Sequence, residues 1–514
     1  MVVEEGTAPP AKAMETDKKL IKKPVNQPRF EKYVVPMSLH AENRAKLVKA
    51  LGETLSAAGK ENGVVLLQGG EQQTRYDTDH EPLFRQESYF AYLFGVTEAG
   101  FYGAVDVATG KSILFAPRLP SEYAIWMGKI QPPQHFKDKY EVDEAKYVDE
   151  LSATLMELGG EGGAPTLLLL HGKNSDSGSW AAPAEFEGIG SFLVDKTTLF
   201  PVLSECRVRK SQAELDLLRY VNRVSTAAHI EVMRRVKPGM TEYQLESLFQ
   251  HFCYFEGGCR HCSYTCICAS GDNAATLHYG HAGAPNDKIL SDGDLILLDM
   301  GAEYHCYASD ITCTYPVNGK FTEGQETVYN SVLAASEAVM EAMKPGVAWP
   351  DLHRLAERRI LEGLVEGGVL IGSVDEMLEA DLGAVFMPHG LGHFMGLDTH
   401  DVGGYPEGVK RSEKPGLRSL RTARTLEEGM VITVEPGCYF VEATLGPALQ
   451  DPDRSRFFVL EEIEKLRGSG GVRIEDDVIV TADGCENMTD VPRKTYEIER
   501  VMAGESWPLP VSRG

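Results

Sequence analysis

The sequence predicts an α/β domain followed by a larger α+β domain that is built from two related halves. In residues 28–199, short apolar runs alternate with helical stretches, and Gly and Pro separate them. In residues 211–514, the tripeptide Lys-Pro-Gly occurs twice between two predicted helices, at 237–239 and at 344–346, and β-rich sequence follows each time. This repetition indicates a pseudo-twofold internal duplication, with a functional site where the halves meet.

Length and composition agree with a protein of more than one domain. The chain has 514 residues, of which 43% are hydrophobic and 25% charged, as in ordinary globular proteins. Residues 1–27 are rich in Lys, Pro and Ala, and we expect a loosely ordered tail there. Residues 200–210 are expected to form the linker between the two domains.

The charge balance and the cysteine pattern restrict the class of partner and the compartment. The chain contains 51 Lys and Arg and 76 Asp and Glu, so its net charge is −25. This excess of negative charge argues against a nucleic-acid partner. A run of about 18 apolar residues is absent, so we expect no contact with a membrane, and the N-terminus does not resemble a secretion signal. All ten cysteines lie from Cys206 onward. In such a chain buried thiols are favoured over disulfides, and we expect a cytoplasmic protein.

Four apolar runs of the first domain predict strands. They lie at Val64–Leu67, Tyr102–Val105, Ser112–Phe115 and Thr166–Leu170.

Three capping boxes predict helix starts in the second domain. A serine or threonine is followed three residues later by Glu or Gln at Ser211, Thr241 and Thr322. We expect the third helix to run through Met343 and a fourth to run from about Pro350 to Leu364. The β-rich segments that follow the two helix pairs are Tyr264–Ala269, Leu295–Val317, Met430–Val441 and Gly471–Val480.

Two carboxylates of the first half lie in apolar β sequence. Asp299 ends the run that begins at Leu295, and Asp310 lies in the returning strand predicted over Tyr304–Tyr315. A strand–turn–strand connection of this length can place both side chains on one face. An aspartate at a strand end is often only a turn cap, but a half-buried Asp310 is costly without a partner.

Two glutamates of the second half are candidate partners of these aspartates. Glu435 and Glu475 lie at or within apolar β runs, and the proline after Glu435 indicates that its strand breaks there. Four carboxylates brought together would repel one another strongly. Two divalent cations would cancel the four charges, and the residues therefore favour a dinuclear metal site.

The segment His389-Gly-Leu-Gly-His393 adds imidazole to these carboxylates. Its glycines favour a loop over a zinc-binding helix of the HExxH type, and two loop histidines without a metal are the alternative. Carboxylate oxygens with one imidazole favour Mn²⁺, with Co²⁺ or Zn²⁺ as alternatives. His278 and His400 are further candidates for proton transfer near neutral pH, or else satisfied core or turn histidines.

A cysteine cluster offers a competing metal site. Cys259-Arg-His-Cys262 is followed by Cys266 and Cys268, a pattern that could form a zinc knot. A second CxxC is missing, and buried free thiols are the favoured interpretation.

The candidate ligands closely resemble the metal-ligand set of the pita-bread (M24-type) metallopeptidases. The resemblance rests on the contexts LLDMG, ASDIT, HGLGH, TVEPG and RIEDD, which contain the ligands Asp299, Asp310, His393, Glu435 and Glu475. The longer strings LHYGHAGAPND, MPHGLGHFMGLDTHDVGGYPEG and PGLRSLRTAR resemble in particular the members of the family that hydrolyse Xaa-Pro dipeptides. The resemblance runs from about Tyr33 to the Glu475 strand, and it implies a creatinase/aminopeptidase P-like first domain.

The resemblance also implies a mechanism. Two divalent ions per subunit, Mn²⁺ in the first place, would be bridged by Asp310 and Glu475. Asp299 would complete one metal site, and His393 with Glu435 the other. A hydroxide bridging the metals would attack the scissile carbonyl. Glu435 would carry the proton to the leaving nitrogen.

His278, His400 and Arg421 are the substrate residues that the resemblance implies. The two histidines would bind the peptide and stabilise the tetrahedral intermediate. Arg421 would hold the free carboxylate of the dipeptide, for which a guanidinium is well suited. Alternatively, Arg418, Arg421 and Arg424 form an exposed charged face.

Three functions remain open on the sequence. The first is a homodimeric Xaa-Pro dipeptidase, in which the loop near Trp126 reaches over the site of the partner subunit. The second is an aminopeptidase P acting on longer Xaa-Pro peptides, which shares every metal ligand. The third is a protein-binding module without activity. Loss of ligands would mark that third case, whereas all five positions are kept.

Overall fold

The computed structural model describes residues 29–60, 63–160, 163–406 and 408–509. The predicted tail, residues 1–27, lies outside the described residues. Within these ranges, no helix combines the length and the apolar character that crossing a membrane requires.

The first domain is a six-stranded mixed sheet covered by helices. The elements in chain order are α1 Ser38–Ala57, β1 Val64–Gln68, α2 Ser88–Phe94, β2 Tyr102–Asp106, β3 Ser112–Ala116, α3 Tyr123–Met127, α4 Pro133–Tyr140, β4 Glu144–Tyr147, α5 Leu151–Leu158, β5 Leu167–Leu169, β6 Val194–Asp195 and α6 Leu199–Val208. The strand order is β4-β3-β2-β1-β5-β6. The four predicted strands are β1, β2, β3 and β5, with no end shifted by more than one residue.

Both faces of this sheet are buried. In β1, Val64 and Leu66 belong to one apolar cluster, which includes Leu155 of α5. The alternate residue Val65 belongs to the other cluster, with Leu47 of α1. Successive side chains of a strand point to opposite faces, so helices must cover both sides. This explains why the strands read as continuous apolar runs in the sequence.

Residues 200–210, which we expected to be a linker, are largely the helix α6. Leu199 and Leu203 of α6 are fully buried in the same core as Leu51 of α1. Their apolar side chains gain more from packing than an exposed connection would allow. The chain therefore passes between the domains through a packed helix.

The second domain repeats a pair of packed helices followed by antiparallel strands, as the Lys-Pro-Gly repeat predicts. The first half contains α7 Gln212–Arg235, α8 Glu242–Gly257, β7 His261–Cys262, β8 Ile267–Ser270, β9 Leu295–Asp299, β10 Ala302–Tyr304, β11 Tyr307–Ala308 and β12 Thr312–Pro316. The second contains α9 Glu323–Ala342, α10 Trp349–Glu366, α11 Val374–Glu379, α12 Gly383–Phe386, β13 Val431–Val434, β14 Gly437–Tyr439, α13 Glu442–Gln450, α14 Pro452–Ser455, α15 Leu460–Leu466, β15 Gly471–Arg473, β16 Asp476–Val480, β17 Cys485–Asn487 and α16 Thr495–Met502.

The repeat is visible in local geometry as well as in order. Gly239 and Gly346, the last residues of the two Lys-Pro-Gly strings that lie between paired helices, have φ of +88° and +90°. Each donates its backbone N–H to a carbonyl of its own half, that of Leu290 and that of Leu426, both at 2.9 Å. Only glycine adopts this conformation without strain, which is the physical reason for its presence in both copies.

All three predicted helix starts are found. Ser211 and Thr322 exchange hydrogen bonds with the residue three positions on, at the starts of α7 and α9. At the start of α8, the backbone N–H of Thr241 donates to the side chain of Gln244 at 2.8 Å. These bonds satisfy backbone N–H groups that the first helical turn leaves unpaired.

The strands of the second domain are shorter than predicted. The single strand expected over Tyr304–Tyr315 is three strands, because His305 and Cys306 adopt positive φ and form a tight turn between β10 and β11. Asp310 lies between β11 and β12, Glu435 between β13 and β14, and Glu475 between β15 and β16. Each of these three carboxylates therefore lies at an interruption of a β segment.

Candidate metal centre and substrate cleft

The five predicted metal ligands lie together where the two halves meet. Asp310, His393 and Glu475 each offer one ligand atom, and these atoms lie within 4.8 Å of one another. His393 Nε2 is 3.4 Å from Asp310 Oδ2 and 3.5 Å from Glu435 Oε1. Asp299 lies close to Asp310, since both aspartates contact the hydroxyl of Tyr264.

Strand pairing explains how the two halves bring these residues together. Asp299 ends β9 directly opposite Thr312 of β12. Thr312 also forms a β-bridge with Glu475 of the second half, and its hydroxyl donates to Glu475 Oε2 at 2.7 Å. One threonine thus connects carboxylates that are far apart in the sequence.

The electrostatics of the site favour a bound cation. Burial, with repulsion from neighbouring carboxylates, raises the pKa values of Asp310 and Glu475 well above their usual range. Burial also raises the pKa of Glu435 to about 7. A divalent ion would replace the protons that these groups otherwise retain.

The donor set fits a divalent metal. His393 Nδ1 is 3.1 Å from the carbonyl oxygen of Phe394, which leaves Nε2 as the nitrogen facing the carboxylates. Burial lowers the pKa of His393, so the ring is neutral and can offer a lone pair. One imidazole among four carboxylates is a ligand set for Mn²⁺, Co²⁺ or Zn²⁺ rather than for a thiolate-type zinc site.

Two residues that support the cluster were not predicted. The Tyr264 hydroxyl lies 2.5 Å from Asp299 Oδ1 and 2.6 Å from Asp310 Oδ1. The buried Arg473 donates to Asp299 Oδ2 at 2.6 Å and to the Tyr439 hydroxyl at 2.8 Å. Arg473 could have been suspected, because it lies two residues before Glu475 in an apolar run, whereas the sequence around Tyr264 carries no such signal.

A wide cleft of about 1170 Å³ opens from these ligands and contains the three predicted substrate residues. The ring of His400 lies 4.4 Å from that of His393, edge to face. Desolvation lowers the pKa of His278, and it lowers that of His400 to about 2. Both rings are therefore neutral at pH 7 and can donate hydrogen bonds without carrying charge. Arg421 lines the same cleft.

The loop that carries His400 is held by charges from outside the metal site. Arg207 of α6 donates to Asp398 at 2.8 Å and to Asp401 at 2.6 Å, on either side of His400. Arg85 of the first domain donates to the carbonyl that precedes Asp398, at 2.7 Å. The first domain thus contributes to the geometry of the cleft.

The competing zinc knot does not form. Within the described ranges, the group formed by Asp310, His393 and Glu475 alone has metal-binding geometry. All ten cysteines are free, and Cys259, Cys266 and Cys268 are buried. This agrees with the interpretation of this segment as core with buried thiols.

Comparisons with known proteins agree with the fold and the site. Residues 216–482 match the model of metallopeptidase family M24, and residues 40–166 match that of the aminopeptidase P N-terminal domain. The chain belongs to metallopeptidase family M24 and is a hydrolase. The predicted fold class, an α/β domain followed by a duplicated pita-bread domain, is confirmed.

Three relatives show which members of the family this chain is similar to. The chain is 58% identical to the Xaa-Pro dipeptidase of Homo sapiens over 471 residues, which cover 91% of this chain and 94% of the relative. Among solved structures, the aminopeptidase PepP of Pseudomonas aeruginosa has a TM-score of 0.72 and 33% identity, covering 91% and 98% of the two chains. The zinc-substituted aminopeptidase P of Escherichia coli in complex with product has a TM-score of 0.72 and 31% identity, covering 92% and 99%.

Proposed function

We propose that the protein is a metal-dependent dipeptidase that hydrolyses Xaa-Pro dipeptides, with C-terminal proline or hydroxyproline. The observation that carries the proposal is the presence of all five ligand residues and Arg421 in one cleft. The human relative, 58% identical, is named an Xaa-Pro dipeptidase, which supports the same substrate class.

We propose that Asp299, Asp310, His393, Glu435 and Glu475 hold two divalent ions, with Mn²⁺ favoured by the oxygen-rich donor set. Such ions activate water near neutral pH and polarise the scissile carbonyl. Two ions would also balance the four carboxylate charges, which accounts for the tolerance of so many acidic groups in a buried place.

Glu435 is the proposed proton carrier. Its carboxylate, in the same cleft, would accept a proton from the attacking water and return it to the leaving nitrogen of proline. The neutral rings of His278 and His400 would donate hydrogen bonds to the substrate, where negative charge develops on the carbonyl oxygen.

Arg421 is the proposed determinant of dipeptide selectivity. Arg421 lines the cleft, and its guanidinium could bind the free carboxylate with two parallel hydrogen bonds. A tripeptide would place a neutral amide at that point. An aminopeptidase P, the second candidate, would not need this arginine.

The first test is the hydrolysis of Gly-Pro and of Gly-Pro-Gly by metal-stripped protein, before and after addition of Mn²⁺. We expect Mn²⁺-dependent cleavage of the dipeptide and little cleavage of the tripeptide. Cleavage of the tripeptide at a comparable rate would favour aminopeptidase P activity. If neither peptide is cleaved although metal is bound, the proposed substrate class is wrong.

We also propose that the protein is a cytoplasmic homodimer. Helix α3 has no buried residue, and its Ile125 and Trp126 are 77% and 82% exposed. An exposed apolar helix of this kind suits a contact with a second subunit. Sedimentation should give a dimer, and Trp126→Ala should weaken it. Tyr76→Ala is the control, because Tyr76 is also exposed but lies outside α3, and it should leave the dimer unchanged. An unchanged dimer would show that α3 lies outside the interface.

A further inference from the structure

A tight turn of the first domain reaches the substrate cleft of the second. Lys173 and Trp180 form an antiparallel bridge at its base. At its tip, the side chain of Asn174 accepts hydrogen bonds from the backbone N–H groups of Asp176 at 2.8 Å and Ser177 at 3.0 Å. These bonds define the backbone on which Asp176 is presented to the cleft, where it is one of the lining residues.

Arg411 connects this turn to the segment that carries Arg421. Its Nη2 donates to Asp176 Oδ1 at 2.8 Å and to the backbone carbonyl of Ser175 at 3.0 Å. Its Nη1 donates to the carbonyl of Leu420, directly before Arg421. A single guanidinium therefore joins the first domain to the backbone beside the proposed carboxylate-binding residue.

Tyr405 also holds Arg411 and the backbone at Leu420. The Cζ atom of Arg411 lies over the ring of Tyr405, 4.3 Å from the ring centroid. The Tyr405 hydroxyl donates to the carbonyl of Leu420 at 2.9 Å, so that this oxygen accepts from two side chains. The backbone position of Arg421 is thus held firmly.

The side chain of Arg421 lies near Asp176 but forms no hydrogen bond with it. Arg421 Nη1 lies 3.8 Å from Asp176 Oδ2, which is within electrostatic attraction but beyond hydrogen-bond distance. The Asp176 side chain is 10% exposed and that of Arg421 is 28% exposed. Asp176 attracts the guanidinium without taking a hydrogen bond from it, and Arg421 lines the cleft.

The charge balance at this edge of the cleft gives Asp176 a specific effect. Arg411, Arg418 and Arg421 all line the cleft, and Asp176 is the carboxylate paired with two of them. Without Asp176 the positive groups would repel one another and Arg421 would lose the charge that orients it. With Asp176 in place, a net positive charge still remains for one carboxylate of the substrate.

We propose that Asp176 is a specificity-determining positioning residue, which the first domain contributes to hold Arg421 ready for the C-terminal carboxylate of the substrate. The inference rests on the proposed function, because it assigns the carboxylate of the dipeptide to Arg421. Asp176 acts through Arg421 and touches no reacting atom. The first domain thereby becomes part of the mechanism that selects dipeptides.

The test compares Asp176→Asn with the unmodified protein in the presence of Mn²⁺, with Gly-Pro and its C-terminal amide as substrates. Asparagine keeps the shape and an acceptor oxygen but removes the charge. We expect KM for Gly-Pro to rise about tenfold, as for loss of one partly buried charge contact, while kcat stays within about twofold. The preference for Gly-Pro over the amide should fall by the same factor. Asp176→Glu, which keeps the charge, should have a KM close to that of the unmodified protein.

A double-mutant cycle separates action through Arg421 from general damage. In an Arg421→Gln background, Asp176→Asn should cause no further rise in KM. Independent, multiplying effects would overturn the proposal, as would an unchanged KM in the single variant. Asp149→Asn is the matched control, because Asp149 is a first-domain aspartate that pairs with Arg118 away from the cleft. Its KM and kcat should be unchanged.

The same measurements distinguish failure of this inference from failure of the proposed function. If the unmodified protein does not hydrolyse Gly-Pro, the proposed function fails and the inference fails with it. If the protein hydrolyses Gly-Pro and Arg421→Gln raises KM, but Asp176→Asn does not, the inference alone is wrong. Thermal unfolding of each variant reports folding, and Asp176→Glu provides a second test if Asp176→Asn is poorly folded.

Discussion

At the scale of single residues, Asp310 is the most constrained group of the site. Its side chain contacts Tyr264 and His393, and its backbone N–H donates to the buried carboxylate of Asp477 at 2.9 Å. Asp477 is fully buried in β16, and Glu475 lies directly before that strand, so one segment of the second half carries Glu475 and holds the backbone of Asp310. The aspartate has little freedom to move and is therefore already placed for a metal.

Asp310→Asn should remove both metal binding and activity. Asparagine keeps the shape but loses the charge that a divalent ion needs, and changes at residues that merely support a ligand already cost about 10–100-fold. We expect the rate of Gly-Pro hydrolysis to fall at least about 100-fold, with less metal retained after dialysis. Asp483→Asn, at an exposed position of the same domain, should change neither. Full metal content and activity in Asp310→Asn would contradict the assignment.

The apparent affinity for Mn²⁺ should rise with pH. The pKa values of Glu435, Asp310 and Glu475 are raised, that of Glu435 to about 7, so at pH 6 protons compete with the metal. Each displaced proton increases the affinity up to about tenfold per pH unit below the pKa. Calorimetric titrations at pH 6 and pH 8 measure this change. Glu435→Gln should show a smaller pH dependence, and an affinity independent of pH in the unmodified protein would contradict the expectation.

At the scale of secondary-structure elements, interrupted strands create the site. Asp310, Glu435 and Glu475 each lie at a gap between two short strands, where a side chain can turn toward the cleft. Pro436 cannot donate a ladder hydrogen bond, which accounts for one of the gaps. The helices, in contrast, begin where their capping boxes indicate, and they support the strands from outside.

Ser211→Ala should destabilise the second domain without changing catalysis. The serine caps α7, and loss of such a cap costs about 1 kcal/mol. Ser211 does not line the cleft, so kcat and KM should be unchanged. Urea unfolding measures the shift, and Thr322→Ala, the corresponding cap of α9 in the second half, should give a similar one. An unaltered urea midpoint in both variants would show that these caps do not limit stability.

At the scale of the whole molecule, three units meet at one cleft. The two halves of the second domain supply the carboxylates and imidazoles, and α6 and the first domain hold the loop of His400 through Arg207 and Arg85. The turn that contains Asp176 approaches from the first domain on the side of Arg421. The relative position of the domains therefore affects substrate binding as well as stability.

Removal of metal should destabilise the folded protein. Without cations the buried carboxylates repel one another, whereas a ligand present at about 100 times its Kd stabilises the native state by about 2.7 kcal/mol. The thermal midpoint should therefore fall on addition of a chelator and recover with Mn²⁺. In Asp310→Asn the chelator should have a smaller effect. A midpoint that does not respond to chelator would show that the native state gains no stability from metal.

The sequence alone predicted the fold class and its duplication, because these depend on local patterns. It also indicated the five candidate ligands, whose role in holding metal stays a prediction. Apolar periodicity marks strands, capping boxes mark helix starts, and the strings around Asp299, Asp310 and Glu475 are distinctive. The same patterns could not reveal that most of residues 200–210 belongs to the helix Leu199–Val208, or that the run Tyr304–Tyr315 is divided into three strands. In both cases packing against distant segments decided the local structure.

The supporting contacts of the site were decided by tertiary structure alone. Tyr264 contacts both aspartates, and Asp176 faces Arg421, only because folding brings together segments that are remote in the sequence. A hydrogen bond or ion pair depends on distance and direction within a few tenths of an ångström, and no one-dimensional pattern encodes them. Residue types and their order thus reveal which chemistry is available, whereas packing determines which groups position it and which peptide it accepts.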